Sequence, residues 1–273
     1  MPRTSIKANG LDFCALEEGS GGRPLLVLHG FCGAKENFEG ITGPLAERGW
    51  HVFVPDQRGH GESAHPVGGS SYSFEHFAAD ALAIADVLGW TRFALLGHSM
   101  GGMTSQLVAI GDPQRLRGLV LMDTSHKGLE IDPQLAATGR QIVATGGMPA
   151  LVEALRRLEG PLETQAHRRL LAERPGYQEL LDAQTLAVSE DMWLAMSEAI
   201  FGSPDRLGEL RSLAVPTLVI VGEQDAPFLG PSRRMAEAIP RARLAVVPDA
   251  GHSPQLESPD DLMATLSSFL DTL

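Results

Sequence analysis

Six short apolar runs constrain this chain more than any other feature of it. Residues 24–29, 51–54, 93–96, 119–122, 217–221 and 244–247 are rich in Leu, Val, Ile and Phe, and turn-like residues bound them. They are too short to cross a bilayer, and nearly continuous apolar character predicts strands covered on both faces. Between them the period changes to three and four. Phe77, Ala81, Ile84 and Leu88 share one face after Ser73, a candidate N-cap; Leu262, Leu266, Phe269, Leu270 and Leu273 follow Ser258-Pro259, a cap with proline at the first helical position. This alternation spans residues 24–123 and 215–273, the grammar of a mostly parallel sheet with helices on both faces. The expected fold class is therefore α/β. Asn9-Gly10, between residues 5–7 and 11–13, adds an antiparallel hairpin at the start.

From about Ser125 to Ser203 the strand pattern stops, and helix-like segments appear between Gly146-Gly147, Gly160-Pro161, Pro175-Gly176 and Gly202-Ser203-Pro204. Residues 1–124 and 204–273 are read as one core and 125–203 as a helical insert. Ligands in open α/β sheets bind beyond the carboxyl ends of strands, so an insert leaving there roofs a site. In its last helix Met192, Ala195, Met196, Ala199 and Ile200 form one apolar stripe, with Glu190 and Asp191 in the first turn. That stripe is expected to pack the insert on the core.

Charge and cysteine usage remove several function classes. With 22 Lys+Arg against 34 Asp+Glu the net charge is −12, the wrong sign for nucleic acid or anionic lipid. Cys14 and Cys32 can form at most one pair, and no Cys/His cluster suggests a structural metal. Residues 1–7 lack an apolar signal core, so a cytoplasmic protein is expected, and with no ligand cluster visible no metal or other cofactor is expected. Its oligomeric state stays open.

The chemistry points to Gly97-His98-Ser99-Met100-Gly101, a G-x-S-x-G directly after an apolar strand and before a helical segment. A sharp strand-to-helix turn exposes the Ser99 hydroxyl, needs small residues two positions away, and sets a helix N-terminus beside a developing oxyanion. A serine needs a base, and on this architecture the chain order is serine, acid, histidine. Of nine histidines only His252 lies beyond the last strand. Asp225, after the 217–221 strand, is the preferred acid, with Glu223 and Asp123 as rivals. The Phe31 and Met100 amides are the expected oxyanion donors, and His29 is read as structural. Cys32 has no elbow and no evident base, so it is read as a buried thiol.

Together these motifs resemble the α/β-hydrolase superfamily, and within it the small serine hydrolases with a helical lid: esterases, enol-lactonases and non-haem haloperoxidases. The resemblance rests on His29-Gly30-Phe31, Asp56-Gln57-Arg58-Gly59-His60-Gly61-Glu62-Ser63, Gly97–Gly102 and Gly251-His252. It implies that residues 56–63 shape a loop beneath the site, with Arg58 and His60 structural. Trp193 lies off the apolar stripe of its helix and, with Phe201 and Phe228, is expected to line an acyl pocket. Serine at position 99 separates the chain from haloalkane dehalogenases and epoxide hydrolases, which use aspartate there. Met103 stands where the menaquinone-pathway cyclohexadiene-carboxylate synthases carry an anion-binding arginine, and Phe31-Cys32-Gly33-Ala34 lacks the glycine-rich stretch of meta-cleavage carbon–carbon hydrolases. The expected activity is hydrolysis of a small carboxylic ester or lactone through an acyl-enzyme. Carbon–carbon hydrolysis, the synthase reaction, perhydrolysis and, in another class, a hydrolase-like small-molecule receptor are the alternatives.

Overall fold

In the computed structural model, which describes residues 3–129, 132–157, 160 and 162–273, eight strands form one sheet. In chain order they are β1 (Arg3–Ala8), β2 (Leu11–Glu18), β3 (Arg23–Leu28), β4 (Trp50–Pro55), β5 (Phe93–His98), β6 (Leu116–Met122), β7 (Thr217–Gly222) and β8 (Ala242–Val247). The order across the sheet is β1-β2-β4-β3-β5-β6-β7-β8. Asn9 and Gly10, at φ 48° and 76°, turn β1 into β2, because a two-residue hairpin of this hand needs positive φ at both positions. β2 pairs antiparallel with β4, and every later neighbouring pair is parallel.

The helices among the described residues are α1 (Glu39–Glu47), α2 (Phe74–Val87), α3 (Met100–Gly111), α4 (Pro133–Leu155), α5 (Gln165–Glu173), α6 (Tyr177–Leu186), α7 (Glu190–Phe201), α8 (Leu207–Leu210), α9 (Ala226–Ala238), α10 (Pro254–Glu257) and α11 (Pro259–Leu270). One sheet face buries Phe53, Leu95 and Leu119 against Ile84 of α2, Val108 of α3 and Met235 of α9. The other buries Val27, Val52 and Leu96 against Ile41 of α1 and Leu262 and Leu266 of α11. Each such side chain contributes roughly 1.5–3 kcal/mol relative to exposure, which is why strands covered on both faces read as unbroken apolar runs.

Ser73 caps α2 by accepting the His76 N–H at 3.3 Å. Ser258 occupies the cap position of α11 but donates its hydroxyl to Asp261 Oδ2 at 2.9 Å, because an acid in the first turn competes for it. Helices α4 to α7 all lie between β6 and β7. Gly147, at φ 67°, breaks the helical path inside α4, and Gly176, at φ 80°, starts α6; of the Gly160-Pro161 break, Pro161 lies outside the described residues. The two ends of this helical segment are stitched together. Gly128 N–H donates to Ser203 O, Arg206 N–H to His126 O, and the buried His126 ring joins Asp205 at 2.8 Å and Arg234 at 3.2 Å. A third apolar cluster fills the space beneath, with Val143, Met148, Met192, Trp193, Met196 and Ile200 above Met100 and Met103.

Candidate active site

The loop between β5 and α3 puts Ser99 at φ 55° and ψ −117°, outside the regions that L-residues fill freely. The motif glycines explain how the chain gets there. A Cβ on Gly97 would lie 2.3 Å from Gly101 O, and one on Gly101 would lie 2.3 Å from Leu28 O. The turn is therefore pressed on both sides and admits no side chain. Strand β6 supports it, with Ser99 N–H donating to Met122 O at 2.9 Å and Thr124 Oγ1 donating to Ser99 O at 2.7 Å.

His252 follows β8 and reaches back to this turn. Its Nδ1 lies 2.9 Å from Asp225 Oδ2 and its Nε2 lies 3.0 Å from Ser99 Oγ. An ionised carboxylate only accepts, so Nδ1 carries the proton and Nε2 is left to accept from the serine hydroxyl. Asp225 heads α9 directly after β7 and is fully buried. The close approach of the two loops again depends on small residues, since a Cβ on Gly222 would meet Gly251 O at 2.0 Å.

Two side chains that the sequence reading did not single out hold the His252 segment. Glu257, buried at the end of α10, accepts the N–H of Gly251 at 2.6 Å and of Ser253 at 3.1 Å, one on each side of His252. His98 Nε2 lies 2.6 Å from the His252 carbonyl oxygen, so that nitrogen donates. Burial and the neighbouring His252 hold the His98 imidazole down to about 3, which keeps it neutral. The only sequence signal for Glu257 is that it is the one acid between residues 250 and 258. For His98 there was none, because it reads as the variable position of the motif.

The rival acids are placed differently. Glu223 Oε2 accepts the Asp249 N–H at 3.2 Å on the surface. Asp123 is fully buried beside Asp225 and accepts the Gly222 N–H at 2.8 Å. Among the described residues, Asp123, Asp225 and His252 are the one group of acid and imidazole side chains close enough to share an ion. The hydrogen bonds already described run within it.

The β3 loop passes directly beside the serine, where a Cβ on Gly30 would lie 3.1 Å from Ser99 Cβ. His29 fixes this loop: its Nδ1 donates to Gly30 O at 2.8 Å and its Nε2 accepts the Gln57 N–H at 3.0 Å. Burial lowers its imidazole to about 4, so both bonds belong to the neutral ring. The Phe31 and Met100 N–H groups, on this loop and at the start of α3, have no protein acceptor among the described residues. His60 and Arg58 lie beneath, with Arg58 bound to Asp80 through two nitrogens at 2.5 and 2.6 Å.

The expected pocket aromatics separate. Trp193 is buried with its ring 6.0 Å from that of Phe31, and Phe201 packs on the same cluster. Phe228 instead lies 4.6 Å from the His252 ring, covering the imidazole. Cys32 packs on the Trp193 cluster, and burial pushes its thiol up to about 12, far from a nucleophilic thiolate.

The family described as "alpha/beta hydrolase fold" matches residues 23–259. A Bacillus subtilis (strain 168) protein with the provisional name 2-succinyl-6-hydroxy-2,4-cyclohexadiene-1-carboxylate synthase is 28% identical over 97% of both chains. The 2-hydroxymuconate semialdehyde hydrolase of Pseudomonas putida is 30% identical, over 93% of this chain and 89% of its own. Among solved structures, the enol-lactonase from Burkholderia xenovorans LB400 superposes with a TM-score of 0.85 at 26% identity, covering 98% of this chain and 100% of its own.

Proposed function

The chain belongs to the α/β-hydrolase fold family, and from that premise we propose that it is a serine hydrolase of small, uncharged carboxylic esters or lactones. One observation carries the reading: a hydroxyl, an imidazole and a buried carboxylate in series, Ser99 to His252 at 3.0 Å and His252 to Asp225 at 2.9 Å. In this reading Ser99 attacks the carbonyl as His252 takes its proton, and Asp225 holds the tautomer that leaves Nε2 free to accept it. Phe31 and Met100 amides stabilise the oxyanion, and the helical segment between β6 and β7 forms a lid. His252 then returns the proton to the leaving alcohol, and water releases the acid by the same route. The likeness to an enol-lactonase supports this choice, since a lactone is an intramolecular ester.

The apolar cluster around Trp193, Met100 and Met103 supports an uncharged substrate. Met103 also stands against the synthase reaction, which would need a cation there. Of the insert arginines, Arg156 pairs with Asp182, Arg157 with Glu153, Arg168 with Glu163 O, and Arg169 with two backbone carbonyls, while Arg174 covers Tyr177. Arg140, half-buried on α4, has no partner among the described residues.

A fluorophosphonate probe tests the nucleophile. It should label the wild type and not Ser99→Ala, with hydrolysis of short-chain p-nitrophenyl esters lost in parallel. Labelling that persists in Ser99→Ala, or moves to Cys32, overturns the assignment.

A further inference from the structure

Asp123 and Asp225 are both fully buried, and each has one carboxyl oxygen without a hydrogen-bond partner: Oδ2 of Asp123 and Oδ1 of Asp225. The other two oxygens are occupied, Asp123 Oδ1 by the Gly222 N–H and Asp225 Oδ2 by His252. One oxygen from each carboxyl and one His252 ring nitrogen lie within 4.8 Å of one another. No Lys or Arg pairs with either acid among the described residues. Two buried anions so close, with a single imidazole N–H between them, repel strongly, and two orphaned acceptors each carry the cost of lost hydration. One proton resolves both problems, because an O–H···O⁻ bond joins the two orphans and removes a charge.

We propose that Asp123 is a protonated positioning residue that donates its carboxyl hydrogen to Asp225 Oδ1 and so fixes the carboxylate that orients His252. This rests on the reading of Ser99, His252 and Asp225 as a triad. The proton belongs on Asp123 because Asp225 is the acid that the imidazole N–H stabilises as an anion. Burial first, and then the Asp225 charge, push the Asp123 carboxyl well above the usual carboxylate range. The geometry starts at the end of β6, where Asp123 turns out of the strand at φ 45° while its own N–H stays bonded to Ile220 O. Asp123 moves no proton during turnover. It restricts rotation of Asp225, which has α9 on one side and the histidine loop on the other.

Substitution separates this role from packing. Asp123→Asn keeps a donor for Asp225 and an acceptor for Gly222, whereas Asp123→Leu has similar volume and neither. Asp123→Leu should lose about ten- to hundredfold in kcat with KM little changed, the scale of a hydrogen bond lost from a charged group, and Asp123→Asn should recover most of that loss. Infrared difference spectra supply a readout that does not depend on activity. At neutral pH the wild type should show the C=O stretch of a buried carboxylic acid, absent in Asp123→Asn and retained in Glu257→Gln. If Asp123→Leu fails to fold, that band decides alone. A wild type without the band, or an Asp123→Asn no more active than a well-folded Asp123→Leu, overturns the proposal. Failure of the triad reading looks different, since Ser99→Ala would keep its phosphonate labelling whatever the band does.

Discussion

At φ 55° and ψ −117° Ser99 occupies backbone space where glycine is at ease and other residues store about 1–3 kcal/mol. Ser99→Gly should therefore unfold at a higher denaturant concentration than Ser99→Ala, although neither should hydrolyse esters. Equal midpoints would mean that the turn is unstrained. Asp225→Asn should cost several orders of magnitude in kcat, because an amide can present an N–H to His252 and favour the wrong tautomer. Glu257→Gln keeps its shape but loses the charge that holds two N–H groups, and a loss of about tenfold in kcat, with KM unchanged, is the scale expected for weakened charge-assisted bonds. Ser99, Asp225 and His252 were legible because each follows an apolar strand in a fixed order. Glu257, His98 and the Asp123–Asp225 contact were not. Their partners are backbone groups or carboxylates brought close only by the folded chain, and no spacing announces that.

Strands were the most legible elements, since burial on both faces writes itself as an apolar run, and the hairpin was legible from Asn9-Gly10. The role of α5 was hidden. Thr164 caps it by accepting the His167 N–H and would touch a Cβ placed on Gly251 at 2.3 Å; its Ala166 N–H donates to Gln224 Oε1 at 2.8 Å; Arg169 donates to Asp249 O and Glu257 O at 3.0 and 2.9 Å. One helix thereby touches both the loop that carries Asp225 and the loop that carries His252. These are side-chain contacts to backbone across ~60–90 residues of sequence, invisible to periodicity. Arg169→Ala should lower kcat more than it lowers stability, and hydrogen exchange should quicken around residues 249–253. Exchange left unchanged there would reduce Arg169 to a surface tie.

For the whole molecule, His29, His60 and His98 weigh against stability in acid. Burial depresses their imidazoles from 6.5 to about 4, 3 and 3, so the unfolded chain binds more protons than the folded one as pH falls below 6.5. Stability is thus full above that pH and is lost as pH drops toward those folded values, by at most about 1.4 kcal/mol per pH unit for each ring. Urea midpoints measured between pH 7 and 4 should fall, because the three rings outnumber the two raised carboxyls, Asp123 and Glu257, whose extra protons in the folded state act in the opposite direction; a flat profile would refute the neutral-histidine assignment. The same scale decides substrate charge. A buried carboxylate without a counter-ion costs several kcal/mol, so neutral esters should exceed matched anionic ones in kcat/KM. A reversal that disappears in Arg140→Ala would identify Arg140 as the missing cation.

The stitched ends of the helical segment also bear on where it can bend. Gly128 is bound to Ser203, Arg206 to His126, and α5 is anchored over the loops that carry Asp225 and His252. The interruption lies instead on the α4 side, where Gly147 breaks the helix at φ 67° and a Cβ would lie 2.5 Å from Glu190 Oε1. A side chain at position 147 would meet both an unfavourable backbone region and the Glu190 carboxylate, so Gly147→Ala should strain the bend in α4 and lower the unfolding midpoint.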